Sequence, residues 1–367
     1  MFFGRRELLV LAAGLSFACN KSEPAGDSKG GDKTPAATPS AAGPVMLNGA
    51  GATFPYPLYS KWISEYNKLN PDVKINYQSI GSGGGIRQIT ASTVDFGATD
   101  APMKEDEAKQ APGKLLHIPA TIGAVVVAYN LPEVSGTLKL TPEVLVDIYA
   151  GKIRKWNDPK LKADNADAKL PAQDISVVYR TDGSGTTAVF TDYLAKVSPE
   201  WKEKVGVGKV VNWPTGLGAK GNEGVTGQLK TTPYTIGYIE RAYASQNKLP
   251  MAELKNKSGK FVAPSIEAMS AAADAVEVPD QLFVSLSNAD GEAVYPITSY
   301  SYLLVYEDAK DAVKGEALAK YIWWGLHDGQ KFSKDLDYAP IPAKVLLKVE
   351  ARLKELRSGD KKLLSGA

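Results

Sequence analysis

From Val45 onward the apolar positions follow two alternating periods. Val73-Lys74-Ile75-Asn76-Tyr77 alternates residue by residue, as a half-buried strand does. Leu58, Trp62, Tyr66 and Leu69 instead recur at helical spacing, predicting a helix with one buried face. The pattern predicts further strands over 45–48, 94–100, 115–119, 122–129, 175–179, 235–239 and 296–306. The 122–129 run is nearly all apolar and reads as a central strand. Helices are predicted from Ile86, and over 142–150, 187–196, 309–324 and 342–356. Strands and helices in alternation argue for an α/β architecture with a largely parallel sheet.

The pattern is absent at the N-terminus. Arg5-Arg6 precedes a short apolar run, Leu8 to Leu15, that ends near Ala18-Cys19. A bilayer-spanning helix needs roughly 20 apolar residues, so the run reads as an export signal over residues 1–19. The arginine pair resembles a twin-arginine signal, and Ala18-Cys19 resembles a lipoprotein cleavage site in which Cys19 carries the lipid anchor. Ser16 departs from that pattern, with the usual leucine one residue early as Leu15. Residues 20–44 hold Lys, Ser, Gly, Asp, Pro, Ala and Thr with no aromatic residue, the composition of a disordered tether.

Composition then removes several function classes. Cys19 is the sole cysteine, so the body has neither disulfides nor thiolate metal sites. A formal net charge of +2 gives no broad basic surface for nucleic acid. His117 and His327 are the two histidines; both sit among core-type residues and form no recognisable triad. Gly49-x-Gly51 followed by Asp72 mimics a dinucleotide fingerprint, but Phe54 stands where the third glycine belongs. No P-loop Gly-Lys-Ser/Thr follows a suitable loop, and Ser184 sits in Gly-Ser-Gly rather than a Gly-x-Ser-x-Gly elbow.

What remains is three turns of one chemistry between a strand and a helix: Gly49 to Phe54, Gly81 to Gly85, and Gly183 to Thr187. In α/β sheets such turns lie beyond the carboxyl ends of the strands, where ligands bind. Glycine permits close backbone approach, and helix N-termini offer unpaired N–H donors to an anion. Arg180 adds a fixed cation and Asp100 a carboxylate. Phosphoester hydrolysis would need metals or an activated nucleophile, and no base stands out for Ser184, so binding without catalysis is expected.

These residues resemble the substrate-binding proteins of bacterial high-affinity phosphate ABC importers. The resemblance is carried by Gly49-Ala-Gly-Ala-Thr-Phe-Pro55, Ile80-Gly-Ser-Gly-Gly-Gly85, Val94-Asp-Phe-Gly-Ala-Thr-Asp-Ala-Pro102, Tyr149-Ala-Gly-Lys-Ile-Arg-Lys-Trp-Asn157, Arg180-Thr-Asp-Gly-Ser-Gly-Thr186, Ile236-Gly-Tyr-Ile-Glu240 and Tyr295-Pro-Ile-Thr-Ser299. It implies a two-lobe periplasmic-binding-protein-like fold (type II) with two crossing hinge segments, near 126–130 and 295–300. Lobe one would comprise 45–127 plus 298–357, lobe two 128–297, and 358–367 a flexible tail. It implies phosphate ligands at Thr53, Phe54, Ser82, Asp100, Arg180, Ser184, Gly185 and Thr186, with Asp182 pairing Arg180. Position 83 is glycine where family members often carry serine. No metal or cofactor is implied. The implied partners are inorganic phosphate and a membrane permease, for a monomer on the outer side of a membrane, held by the lipid anchor. A receptor for sulfate or molybdate on the same scaffold, or a phosphatase or surface protein, are the competing readings.

Overall fold

The computed structural model describes residues 43–364. The export signal, Cys19 and all but the end of the tether lie outside the described residues. Eight strands form the main sheet: β1 (Val45–Gly51), β2 (Val73–Ser79), β3 (Phe96–Thr99), β4 (Leu115–Asn130), β5 (Ser176–Arg180), β6 (Leu217–Ala219), β7 (Thr235–Glu240) and β8 (Thr298–Tyr306). Their order is β2-β1-β3-β8-β4-β7-β5-β6. The architecture is α/β, as the alternation predicts.

The sheet is mixed rather than largely parallel. β1, β2 and β3 run parallel on one side, and β5, β6 and β7 on the other. Between them β8 is antiparallel to both β3 and β4, and β4 is antiparallel to β7. β4 is one 16-residue strand where the pattern predicted two. Pro119, the last residue of the first predicted run, lacks an N–H for the ladder. It lies opposite Tyr302, beside a register shift between Ser301 and Tyr302, and the irregularity accommodates it. Residues 115–124 of β4 pair with β8 and residues 125–130 with β7, so one strand belongs to both halves of the sheet.

Four helices matter for the site: α1 (Tyr56–Leu69), α2 (Ser82–Thr90), α3 (Gly185–Val197) and α4 (Gly221–Thr231). α1 buries Leu58, Tyr59, Trp62 and Tyr66, the helical stripe of the sequence pattern. Trp62 is fully buried and donates its indole N–H to the Gly329 carbonyl at 2.8 Å. Leu69, expected on the same face, is exposed as the last residue of α1. α2 begins earlier than predicted, so the glycine-rich segment is its first turn rather than a free loop.

The expected tail also differs. Arg357–Ser358 pairs antiparallel with Lys361–Lys362, and Leu363 and Leu364 are buried. Leu363 lies against Gly315, so residues 358–364 of the segment expected to be flexible pack onto the body through these two leucines. Among the described residues no helix is long and apolar enough to cross a membrane.

Candidate functional site

The three predicted turns converge, and each feeds a helix. β1 leads through Thr53 and Phe54 into α1, β2 through Gly81 into α2, and β5 through Asp182 and Ser184 into α3. Thr53, Phe54, Ser82, Asp100, Arg180, Ser184 and Thr186 are all buried. Two turns from opposite halves of the sheet touch directly: Gly83 N–H donates to the Gly183 carbonyl at 2.8 Å. A β-carbon on Gly185 would lie 2.3 Å from Ser82 Oγ and 2.4 Å from Asp100 Oδ2. A side chain there would collide with both groups, so glycine is what lets the halves meet. Gly81 has φ +84°, and a β-carbon on it would lie 2.3 Å from Asp182 Oδ2.

Helix starts supply donors here. Ser184 caps α3, its hydroxyl oxygen accepting from Thr187 N–H at 3.0 Å, and its carbonyl accepts from Ala188 N–H. The first N–H groups of a helix have no partner within it. Those of Gly185 and Thr186 therefore remain for another acceptor, as does the Ser184 hydroxyl hydrogen.

Arg180 is held as a fixed cation. Its side chain is 1% exposed, with Nε donating to Asp182 Oδ1 at 2.8 Å and Nη2 to Asp182 Oδ2 at 2.6 Å. Nη1 reaches Thr186 Oγ1 at 3.4 Å. A guanidinium carries five N–H donors, so two are left after these three contacts. Burial alone would lower the Arg180 pKa and raise that of Asp182. The ion pair outweighs it in both, moving Arg180 up and Asp182 down. Asp182 Oδ1 also accepts from Gly221 N–H at 2.9 Å, tying α4 to the pair.

Asp100 sits across from Arg180 in a different environment. It is 2% exposed. Ser301 Oγ donates to its Oδ1 at 2.8 Å, and Ser82 Oγ lies 3.4 Å from its Oδ2. Burial pushes the carboxyl up to about 7, against the opposing effects of the Ser301 hydroxyl, Arg180 and Ser82. The sequence suggested a plain carboxylate. The structure gives a group that exchanges its proton near neutrality, with Oδ2 only weakly engaged.

Several residues of the site carried no sequence signal. Asn222, in α4, is fully buried and donates to Thr53 Oγ1 at 2.8 Å and Thr186 Oγ1 at 3.2 Å. Tyr243 Oη donates to the Thr53 carbonyl at 2.6 Å, and Tyr338 Oη to the Phe54 carbonyl at 2.6 Å. Tyr238 Oη accepts from Arg180 N–H at 3.1 Å. Asn222, Tyr243 and Tyr338 come from distant segments whose local pattern reads as ordinary helix or loop, whereas Tyr238 lies within the Ile236-Gly-Tyr-Ile-Glu240 motif. His117 and His327 are structural. His117 Nε2 accepts from Met103 N–H at 3.1 Å and burial lowers its pKa to about 4, while His327 bridges Trp323 and Glu350. Among the described residues no group of three or more His, Cys, Asp or Glu could hold a metal ion.

Two half-sheets sharing a strand, with helix N-termini from each facing one polar centre, define a ligand-binding receptor fold. The family model of the PBP superfamily domain matches residues 34–326. The phosphate-binding protein PstS of Pasteurella multocida is 49% identical over 322 residues, covering 87% of this chain and 93% of that protein. The PstS of Haemophilus influenzae is 47% identical over 313 residues, 84% of this chain and 92% of that protein. The chain belongs to the PstS family of phosphate-binding proteins within the PBP superfamily. Among solved structures, a high-affinity periplasmic phosphate-binding protein (PfluDING) bound with phosphate shares the fold. It has a TM-score of 0.69 and 21% identity, covering 84% of this chain and 94% of that one.

Proposed function

We propose that this protein binds inorganic phosphate with high affinity outside the cytoplasmic membrane and hands it to the permease of an ABC importer, without catalysis. The carrying observation is the contact of Gly185, at the start of α3, with Ser82 and Asp100 on the other half of the sheet. It brings the first N–H groups of α3, those of Gly185 and Thr186, and the Arg180 cation against a carboxyl group that shares a proton. A buried oxyanion loses its hydration and needs many aimed donors in return, each contributing about 1.5–3 kcal/mol. Thr53, Phe54, Ser82, Arg180, Ser184, Gly185 and Thr186 supply them in this reading, while Asp100 accepts the ligand's own proton.

The two halves act as lobes that close over the ligand, with the crossings of β4 near Ala124 and Val125 and the segment entering β8 as hinges. Their relatives' names support phosphate as the ligand. The export signal and Cys19 support a lipid tether at the extracytoplasmic face of a membrane, where a monomer would meet the permease.

Calorimetric titration of the purified protein with phosphate and with sulfate tests the reading. Tight phosphate binding with at least a thousandfold weaker sulfate binding at pH 8 is expected, on the order of the discrimination that a required proton permits. Equal binding of both would refute the role of Asp100. Failure to bind either would favour a different ligand.

A further inference from the structure

Asn222 joins groups from both halves of the site and its amide is fully committed. Oδ1 accepts from Glu240 N–H at 3.0 Å, which fixes the orientation of the amide and turns Nδ2 toward the two threonines. A primary amide has two hydrogens. One goes to Thr53 Oγ1 at 2.8 Å, the other to Thr186 Oγ1 at 3.2 Å. Each threonine oxygen takes a second, longer contact at 3.4 Å, Thr53 from Asn222 N–H and Thr186 from Arg180 Nη1. A hydroxyl has two acceptor sites and one hydrogen. With both acceptor sites used, neither threonine can accept further, and each has its hydrogen left to give.

We infer that Asn222 is a positioning residue that makes Thr53 and Thr186 obligate donors to the oxyanion. The inference rests on the phosphate reading above and extends it. Thr53 precedes α1 on one half, whereas Thr186 and Asn222 lie in α3 and α4 on the other. The amide bridge therefore forms only with the halves together, so closure and donor orientation become one event. An amide is required for this. A carboxylate of the same shape would accept from both hydroxyls and turn their hydrogens away from the ligand.

Asn222→Asp tests it, because it keeps an oxygen for Glu240 N–H and removes the two donors, and the negative charge it adds is controlled by repeating it in a second background. Phosphate titration of the full chain, wild type in parallel, is repeated in a Thr53→Val/Thr186→Val background. In the native background N222D should weaken phosphate binding by roughly 100-fold or more, reversing two hydrogen bonds to a charged ligand. Without the threonine hydroxyls the same change should cost less than about fivefold, because contacting residues couple and their effects do not add. Binding by N222D within threefold of wild type would overturn the inference. So would an equal loss in both backgrounds, which would mark simple charge repulsion or a fold defect. If N222D melts far below wild type, Asn222→Ala carries the same cycle, with a smaller loss expected because freed hydroxyls can still rotate to donate. A wild type that binds no phosphate would instead bring down the phosphate reading itself.

Discussion

Asp100→Asn separates recognition of an anion from recognition of its proton. Asp100 Oδ1 is satisfied by Ser301 Oγ at 2.8 Å, whereas Oδ2 has only the long Ser82 contact at 3.4 Å. Oδ2 is therefore the oxygen that accepts a ligand O–H. A hydrogen bond to a charged group is worth about 1.5–3 kcal/mol, so its loss should weaken phosphate binding by roughly 10- to 150-fold. Sulfate, which brings no proton near neutrality, should bind the variant more tightly than wild type, since an amide N–H now faces it and a charge is gone. The phosphate-to-sulfate ratio should fall to within about tenfold at pH 8. The pH dependence gives a second readout. Burial sets the wild-type Asp100 carboxyl at about 7. Below that pH it carries a proton and can donate, so wild-type sulfate affinity should rise as pH falls from 8 to 5.5. Above it the carboxylate repels sulfate and accepts from phosphate. The variant lacks this titration, so its sulfate affinity should change little over the same range. Calorimetry with both anions at several pH values measures each quantity. An unchanged selectivity ratio in Asp100→Asn at pH 8 would refute the reasoning.

Three other changes probe the surrounding geometry. Gly185→Ala places a methyl where Ser82 Oγ and Asp100 Oδ2 now stand, so the halves must separate by an ångström or so. Phosphate affinity should drop by roughly 100-fold with little change in melting temperature, and unimpaired binding would show that this contact is dispensable. Arg180→Met combined with Asp182→Asn removes both charges of a buried pair. It should abolish tight binding while sparing the fold, whereas Arg180→Ala alone should lower stability by about 3–5 kcal/mol by leaving Asp182 unpaired. Glu240 is fully buried, and burial holds its carboxyl far above the usual range. Folding must then take up a proton above the unfolded value of about 4.3, so Glu240 subtracts stability as pH rises beyond it. Glu240→Gln should make the melting temperature fall less steeply between pH 5 and 8, and parallel curves would rule this out.

The proposed ligand residues were legible because local sequence carries them. Gly/Ser/Thr turns between a strand and a helix, an arginine at a strand end and an aspartate after a short strand are all visible along the chain. Their companions were not. Asn222, Tyr243 and Tyr338 reach Thr53 and Phe54 from 169, 190 and 284 residues away, and their own surroundings have the pattern of ordinary helix or loop. The sheet's direction was misjudged for a related reason. Periodicity identifies β4 and β8 as strands but says nothing of how they run relative to neighbours, and both enter antiparallel. The protonation of Asp100 depends on burial by elements from both halves, which no local window contains. The C-terminal leucines were hidden among lysines, and Leu363 packs against Gly315 in a distant helix.

A crystal structure of the protein grown with phosphate is the most direct test of the central claim. The account predicts one phosphate enclosed between the halves, with oxygens within hydrogen-bonding distance of Thr53, Ser82, Arg180, Ser184 and Thr186, and one oxygen about 2.5–2.7 Å from an Asp100 carboxylate oxygen, as charge-assisted O–H···O bonds are. Phosphate bound elsewhere, or at this site with Asp100 turned away from it, would contradict it.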